Sequence, residues 1–270
     1  MDLLIASFRI RFECDEGLSL EPGERFGAFI HNSEGEADVS IRVSSGRYDV
    51  PGDAVRVFDA PLAEEEGDMI KMTGKPFWSV LRYGSTTIVL VAGAEGHYDS
   101  VLEMDDNSLQ WRLHTGTGDT VADPLVYPLD GLILYYLTLA KGAIMMHASA
   151  VNTDGRGWIF SGRSGKGKTT IAKIFDSCGY EVIHDDRVIL AKNDGQWIAY
   201  STPVYRNDVP RSAPADHIWL IEHGRSNSSV PVTGAAAAAL VLSNLIQQTW
   251  NSVHEERLLL LVEDLITTVP

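Results

Sequence analysis

Gly162, Gly167, Lys168 and Thr169 stand at the spacing G-x-x-x-x-G-K-[ST], within the stretch GWIFSGRSGKGKTT from Gly157 to Thr170. Each residue type answers a requirement of phosphate binding. Glycines let the backbone take positive φ and approach oxygens without a Cβ in the way. Successive N–H groups and the N-terminus of a following helix form a nest for an anion. A lysine at this position reaches the β- and γ-phosphates, and the hydroxyl after it ligates Mg²⁺. The nucleotide-binding candidates are therefore Gly162, Ser164, Gly165, Lys166, Gly167, Lys168, Thr169 and Thr170, with Thr169 also a metal candidate. The bland reading is a glycine-rich turn. Against it stands the context, an apolar strand (Trp158, Ile159, Phe160) before the loop and an amphipathic helix after it.

The elements that must position this loop follow from pattern. Leu129 to Lys141 reads as a largely buried helix closed by Gly142. Ala143 to Val151 reads as a strand that turns at Asn152 to Gly155 and returns into the loop. Beyond the loop, Thr170 to Ser177 is its helix, ended by Gly179. Tyr180 to Ile183 is an apolar strand expected to deliver His184, Asp185 and Asp186 at its carboxyl end, where α/β sheets hold ligands. Val188 to Ala191 and Trp197 to Tyr200 make a hairpin around Asn193-Asp194-Gly195. Thr202 to Pro214 is a loop, His217 to Glu222 a strand, and Gly234 to Trp250 a helix followed by another from His254. The fold class expected is mixed α/β, with a phosphate-loop domain over residues 123–270.

Residues 1–122 read as a separate, β-rich domain. Ala37 to Val43 alternates apolar and polar with period two, and Phe26 to His31 is its expected strand partner. Phe77 to Tyr83 with Thr86 to Ala92, and Ser100 to Met104 with Leu109 to His114, form further pairs. Such short strands imply a small antiparallel sheet or sandwich. Trp78, Trp111, His97 and His114 show no metal-type spacing and are expected in core or surface roles. Gly116 to Asp123, polar and glycine-containing, is the expected linker. This domain suits substrate recognition or self-association into a homo-oligomer, and its composition does not choose.

Composition narrows the partners. The chain has 270 residues, 44% apolar and 22% charged, with a net charge of −15. That balance argues against a nucleic-acid or anionic-membrane surface, which needs clustered Lys and Arg. Two cysteines, Cys14 and Cys178, make no disulfide framework and fit reduced thiols in a cytoplasmic protein. The start MDLLIASFRIRF is not a signal peptide, and the longest apolar run, Ala235 to Leu242, is too short to span a bilayer.

Three stretches together, HASAV at His147 to Val151, SGRSGKGKTT at Ser161 to Thr170 and HDDRV at His184 to Val188, resemble the catalytic domain of HPr kinase/phosphorylase. That family is related to the nucleotide domain of ATP-dependent phosphoenolpyruvate carboxykinase. The spacing matches too, with His147 lying 21 residues before Lys168 and Asp186 18 residues after it. The resemblance covers roughly Leu129 to Glu222. It implies an ATP- and Mg²⁺-dependent kinase in which Asp186 is the base that takes the proton from a serine hydroxyl. Asp185 helps hold Mg²⁺, Lys168 stabilises phosphate, and His147 stands close to the phosphates. The acidic pair has chance counterparts at Asp15-Glu16 and Asp105-Asp106, so its place after a strand carries the reading.

The match has departures. The family's second metal-binding glutamate has no counterpart in Ser201 to Pro214, where Asp208 is the one acid. Arg206 and Arg211 suit either a phosphate clamp or solvent. The family's segment for the phosphorylase reaction and HPr contact is missing, which points to a kinase relative with another acceptor. Relatives with this shorter pattern accompany peptide-modification machinery, implying a peptide or protein hydroxyl. A small-molecule or carboxykinase-like phosphotransferase and a nucleotide-binding regulator remain the competing readings, and the motifs do not separate ATP from GTP or pyrophosphate.

Overall fold

The computed structural model describes residues 1–32, 35–66, 69–93, 97–116, 121–246 and 252–270. It is a mixed α/β structure with large sheets, divided into two compact units. One comprises Met1–Leu4 and Phe8–Leu132, the other Ile5–Ser7 and Ile133–Pro270. Among the described residues, no helix is long and apolar enough to cross a membrane.

The first unit is built on one eight-stranded sheet. In chain order its strands are β1 (Asp2–Ile5), β2 (Phe8–Cys14), β4 (Val39–Ser45), β5 (Val55–Glu66), β6 (Met69–Tyr83), β7 (Thr86–Ala92), β8 (Tyr98–Asp105) and β9 (Gln110–Thr115). The spatial order is β1-β2-β4-β9-β8-β7-β6-β5. The β2–β4 and β4–β9 pairs are parallel and those from β9 through β5 antiparallel, so the sheet is larger than expected and mixed. Alternate residues line its core, among them Phe8, Ile10 and Phe12 of β2 and Val39, Ile41 and Val43 of β4. Phe26 to His31 is not a strand. Glu24–Phe29 is a 3-10 helical turn that buries Phe26 and Phe29 on one side. In the expected linker, residues 117–120 lie outside the described part. Val121–Ala122 forms β10, paired in parallel with β3 (Ser19–Leu20). Trp111 is buried, and His114 is partly buried beside Glu103.

The second unit is a closed five-stranded barrel. Helix α1 (Leu129–Ala140) leads to β11 (Ile144–Thr153), β12 (Arg156–Ser161), helix α2 (Lys168–Ser177), β13 (Glu181–Asn193), β14 (Gln196–Tyr200) and β15 (Ser212–Leu220). The barrel order is β11-β12-β15-β14-β13, with only β12–β15 parallel. Two Asp-Gly turns close its hairpins. Asp154-Gly155 has φ of 56° and 86°, and Asp194-Gly195 has 48° and 82°. Consecutive positive φ matches the twist of the flanking strands and favours these residues. Ile144, Met146, Ala148 and Ala150, alternate residues of β11, fill the barrel core with Ile159, Val188, Leu190 and Trp197.

Helices α3 (Gly234–Leu242) and α4 (Ser252–Thr268) cover this core with Val241, Val262 and Leu265. Helix α3 is shorter than the expected run to Trp250. After Leu242 the chain turns, Leu245 bridges to Met146 of β11, and the Ile246 N–H donates to the Met145 carbonyl at 3.0 Å. Residues 247–250, the end of that expected helix, lie outside the described part.

Candidate functional site

The loop from β12 to α2 is shaped by its glycines. Gly165 and Gly167 have φ of +78° and +104°, a region strained for any residue with a Cβ. A Cβ on Gly162 would stand 2.7 Å from the Ile221 carbonyl oxygen, so the end of β15 can approach the loop only at glycine. Gly167 occupies the N-cap of α2 and supplies no side-chain cap, leaving the positive end of the helix open towards an anion. Phe175 of α2 packs on Phe160 and Trp158 of β12, at ring separations of 5.6 Å and 6.2 Å, which fixes the helix against the strand that precedes it.

Lys168 curls back over this loop. Its Nζ donates to the carbonyls of Gly162 at 2.6 Å and Arg163 at 3.2 Å, and the side chain is buried. Burial pushes its ammonium below the usual lysine range, opposed by the charges of Asp186 and Asp185. Lysine, loop and acidic pair thus share one electrostatic environment. Thr169 and Thr170 are exposed on the first turn of α2, and Ser164 and Gly165 are exposed on the loop.

The acidic pair corrects one expectation. His184, Asp185 and Asp186 are not at the carboxyl end of a short strand; β13 runs unbroken from Glu181 to Asn193 and carries them in its interior. Its register against β11 pairs Ala150 with His184, Ser149 with Asp185, Ala148 with Asp186 and His147 with Arg187. The register shifts between Ala150 and Val151, and such bulges re-aim side chains beside functional sites. His147 and Asp186 meet across these two strands. His147 Nδ1 donates to the Asp186 carbonyl at 3.0 Å and lies 3.5 Å from Asp186 Oδ1. The backbone of His147 is pinned as well, its N–H donating to Asn244 and its carbonyl accepting from the Ser161 hydroxyl.

Three further residues complete this neighbourhood; His184 is expected beside the acidic pair, and Arg187 and Ser149 are not singled out by sequence. Arg187 Nε lies 3.2 Å from Asp186 Oδ2, flanking that carboxylate on the side away from His147. The Ser149 hydroxyl is buried without a hydrogen-bond partner, opposite Asp185. His184 is buried and bound to Asp208, the one acid of the following loop. Arg187 and His184 directly flank the acidic pair, which was the available signal. Arg211 is engaged with the start of β13, donating to the Val182 carbonyl at 3.3 Å and lying 3.6 Å from Glu181.

Asp185 Oδ1 is buried and has no hydrogen-bond partner. An unpaired buried carboxylate oxygen is costly, and a cation arriving with a nucleotide would satisfy it. Among the described residues, no group of three or more His, Cys, Asp or Glu side chains is placed to hold a metal by itself. Magnesium bound with phosphates needs only one or two carboxylates, water and the phosphate oxygens doing the rest. The donor set therefore fits a metal carried in by nucleotide better than a resident metal.

Residues 129–261 match the family model described as SynChlorMet cassette protein ScmC. An HPr kinase/phosphorylase from Clostridium botulinum (strain Alaska E43 / Type E3) is 25% identical over 187 residues, which is 63% of this chain and 58% of that protein. The chain bears a distant similarity to HPr kinase/phosphorylase. It spans 58% of the length of that relative. Among solved structures, the Hpr(Ser) kinase/phosphatase from Coxiella burnetii aligns at 15% identity with a TM-score of 0.24, over 27% of this chain and 62% of that one.

Proposed function

We propose that this protein is an ATP- and Mg²⁺-dependent kinase that transfers the γ-phosphoryl group to a serine-type hydroxyl of a peptide or protein. The observation that carries the reading is the convergence of a buried lysine, an uncapped helix N-terminus and two strand-borne carboxylates around one loop. Phosphoryl transfer asks mainly for positioning and charge stabilisation, and these groups supply both. The 25% identity to an HPr kinase/phosphorylase supports the reaction class.

In this reading, the loop from Gly162 to Gly167 and the first turn of α2 bind the nucleotide phosphates through their N–H groups. Lys168 leaves the Gly162 carbonyl for the transferring phosphoryl group. Thr169 and Asp185 would hold the metal, which when bound neutralises charge on the phosphates. Asp186 takes the proton of the acceptor hydroxyl at a carboxylate oxygen, and His147, anchored through Nδ1, stands close to the phosphates. The cytoplasm is the expected compartment, and the first unit is assigned to acceptor recognition or self-association.

The test is transfer itself. Protein, labelled MgATP and candidate hydroxyl peptides are incubated, and phosphorylated products are identified by mass spectrometry. Asp186→Asn should retain nucleotide binding while transfer falls about 10²- to 10⁴-fold, the range expected for a general base. Transfer by Asp186→Asn at near wild-type rate would remove Asp186 from that role.

A further inference from the structure

Outside the groups assigned above, the segment from Ser201 to Arg211 carries a connected set of interactions that reaches the acidic pair. It leaves β14, crosses the middle of β13 and returns as β15. Thr202 Oγ1 donates to the Arg187 carbonyl at 2.7 Å, tying the segment to the residue after the acidic pair. The Ser201 hydroxyl donates to the Val209 carbonyl and accepts from the Arg211 N–H, both at 2.9 Å, closing the segment on itself.

His184 forms the central latch. Its Nδ1 lies 3.1 Å from the backbone N atoms of both Asp186 and Arg187. Those groups only donate, so Nδ1 is the acceptor and the proton sits on Nε2. Nε2–H then donates to Asp208 Oδ2 at 3.2 Å. The same carboxylate oxygen accepts from the N–H of Val204, at 2.9 Å, and of Tyr205. One imidazole therefore sets the backbone of the acidic pair and, through Asp208, the turn that bears Tyr205.

Tyr205 is the residue displayed by this arrangement. Its ring stacks on His184 at 5.9 Å and an interplanar angle of 12°, yet it remains 53% exposed. Burial on its inner side and the charges of Asp186, Asp185 and Asp208, opposed by Arg187, push the phenol above its ordinary range. A half-exposed aromatic ring seated on a buried imidazole beside the proposed base offers an acceptor chain both a stacking face and a donor.

We propose that Tyr205 is the acceptor-recognition residue of this site, and that His184 and Asp208 are positioning residues that hold it beside the acidic pair. This rests on the kinase reading above and deepens it. The ligand chemistry is a peptide segment, whose amide planes stack on the ring and whose carbonyls accept from the phenol. Around the ring the carboxylates of Asp185, Asp186 and Asp208 outnumber the Arg187 cation, so the segment that fits is neutral or basic next to its hydroxyl.

The experiment uses the full chain and degenerate decapeptide libraries with a fixed central serine, one flanked by lysine and one by glutamate. Wild-type protein should transfer from MgATP to the lysine-flanked library in preference to the glutamate-flanked one. Tyr205→Ala should raise KM for the former at least tenfold, while the Kd for MgATP stays within threefold. Asp208→Ala should reproduce the KM rise, and Asp208→Asn, which keeps an oxygen for the Val204 and Tyr205 N–H groups, should restore most of it. Should Asp208→Ala not fold, Tyr205→Ala and Tyr205→Phe decide, with Phe retaining the stack and an intermediate KM. An unchanged KM in Tyr205→Ala, or a parallel loss of MgATP affinity, overturns the inference while leaving the kinase reading in place. Wild-type protein that transfers to neither library overturns the peptide-kinase reading and the inference with it.

Discussion

Lys168→Met separates the chemistry of this site from its stability. The ammonium is held by the Gly162 and Arg163 carbonyls, at 2.6 and 3.2 Å, in a buried setting. Hydrogen bonds to a charged group contribute about 1.5–3 kcal/mol each. The desolvation that lowers the Lys168 pKa acts against them. The two largely offset, so the substitution should change stability by no more than about 2 kcal/mol, or about 4–8 °C in Tm for a unit of this size. Transfer should respond far more strongly. A unit charge about 4 Å from a phosphoryl oxygen at an effective dielectric near 20 is worth about 4 kcal/mol. At about 1.4 kcal/mol per decade, that is a loss of roughly 10³-fold in turnover.

The assay pairs labelled-ATP turnover with thermal unfolding across pH. The folded-state pKa of Lys168 lies below its reference value of 10.5, so between those values the unfolded chain binds the proton more tightly. The burial penalty is thus complete below the folded pKa and is relieved as pH rises towards 10.5, and Lys168→Met should flatten that alkaline rise. Turnover kept within tenfold at unchanged Tm would refute the placement of Lys168 at the phosphoryl group. A collapse of Tm beyond 10 °C, far above the roughly 4–8 °C allowed, would refute the offset.

Two further predictions concern other parts of the chain. Gly162→Ala would drive a Cβ to 2.7 Å from the Ile221 carbonyl and shift the loop start that anchors Lys168. It should cost about 1–3 kcal/mol by overpacking and weaken MgATP binding, measured by unfolding and calorimetry. In the first unit, the His114 imidazole and the Tyr48 hydroxyl at 2.7 Å hold the Glu103 carboxyl below its usual range against burial. That stability is present above the reference value of 4.5 and is lost as pH falls through the lower folded value, so Glu103→Gln should blunt the acid transition in that window.

Local patterns carried much of the fold. The two Asp-Gly turns, the phosphate-loop glycines and the hairpin of β6 and β7 are specified within a few residues, and the structure has them where pattern places them. Misreadings came where the decisive contact is distant or the signal double-edged. Phe26 and Phe29 have β propensity, but their i,i+3 spacing is a helical one, and burial of both rings on a 3-10 turn decided between them. Strand β5 was missed because Pro61 and three successive glutamates disguise it. As the terminal strand of the sheet order it can accommodate a proline, and the register of its ladder to β6 shifts on both sides of Pro61. The parallel β2–β4–β9 pairing joins segments far apart in sequence, which no local period encodes.

The acidic pair shows why a site can be legible while its setting is not. Apolar Val182 and Ile183 precede His184, Asp185, Asp186 and Arg187, after which the apolar run resumes at Val188. Four polar residues in succession read as a loop, because period-two alternation is what marks a half-buried strand. The ladder to β11 nevertheless continues through all four. What replaces alternation is mutual satisfaction: His184 accepts the Asp186 and Arg187 N–H groups, His147 donates to the Asp186 carbonyl, and Arg187 flanks the Asp186 carboxylate. The exception within that network is Asp185, whose Oδ1 is buried and unpartnered. Sequences break local rules most readily where function demands it. A run of charge sustained inside a strand by its own hydrogen bonds, with one oxygen left over, is the arrangement that the proposed phosphotransfer reading requires of this wall.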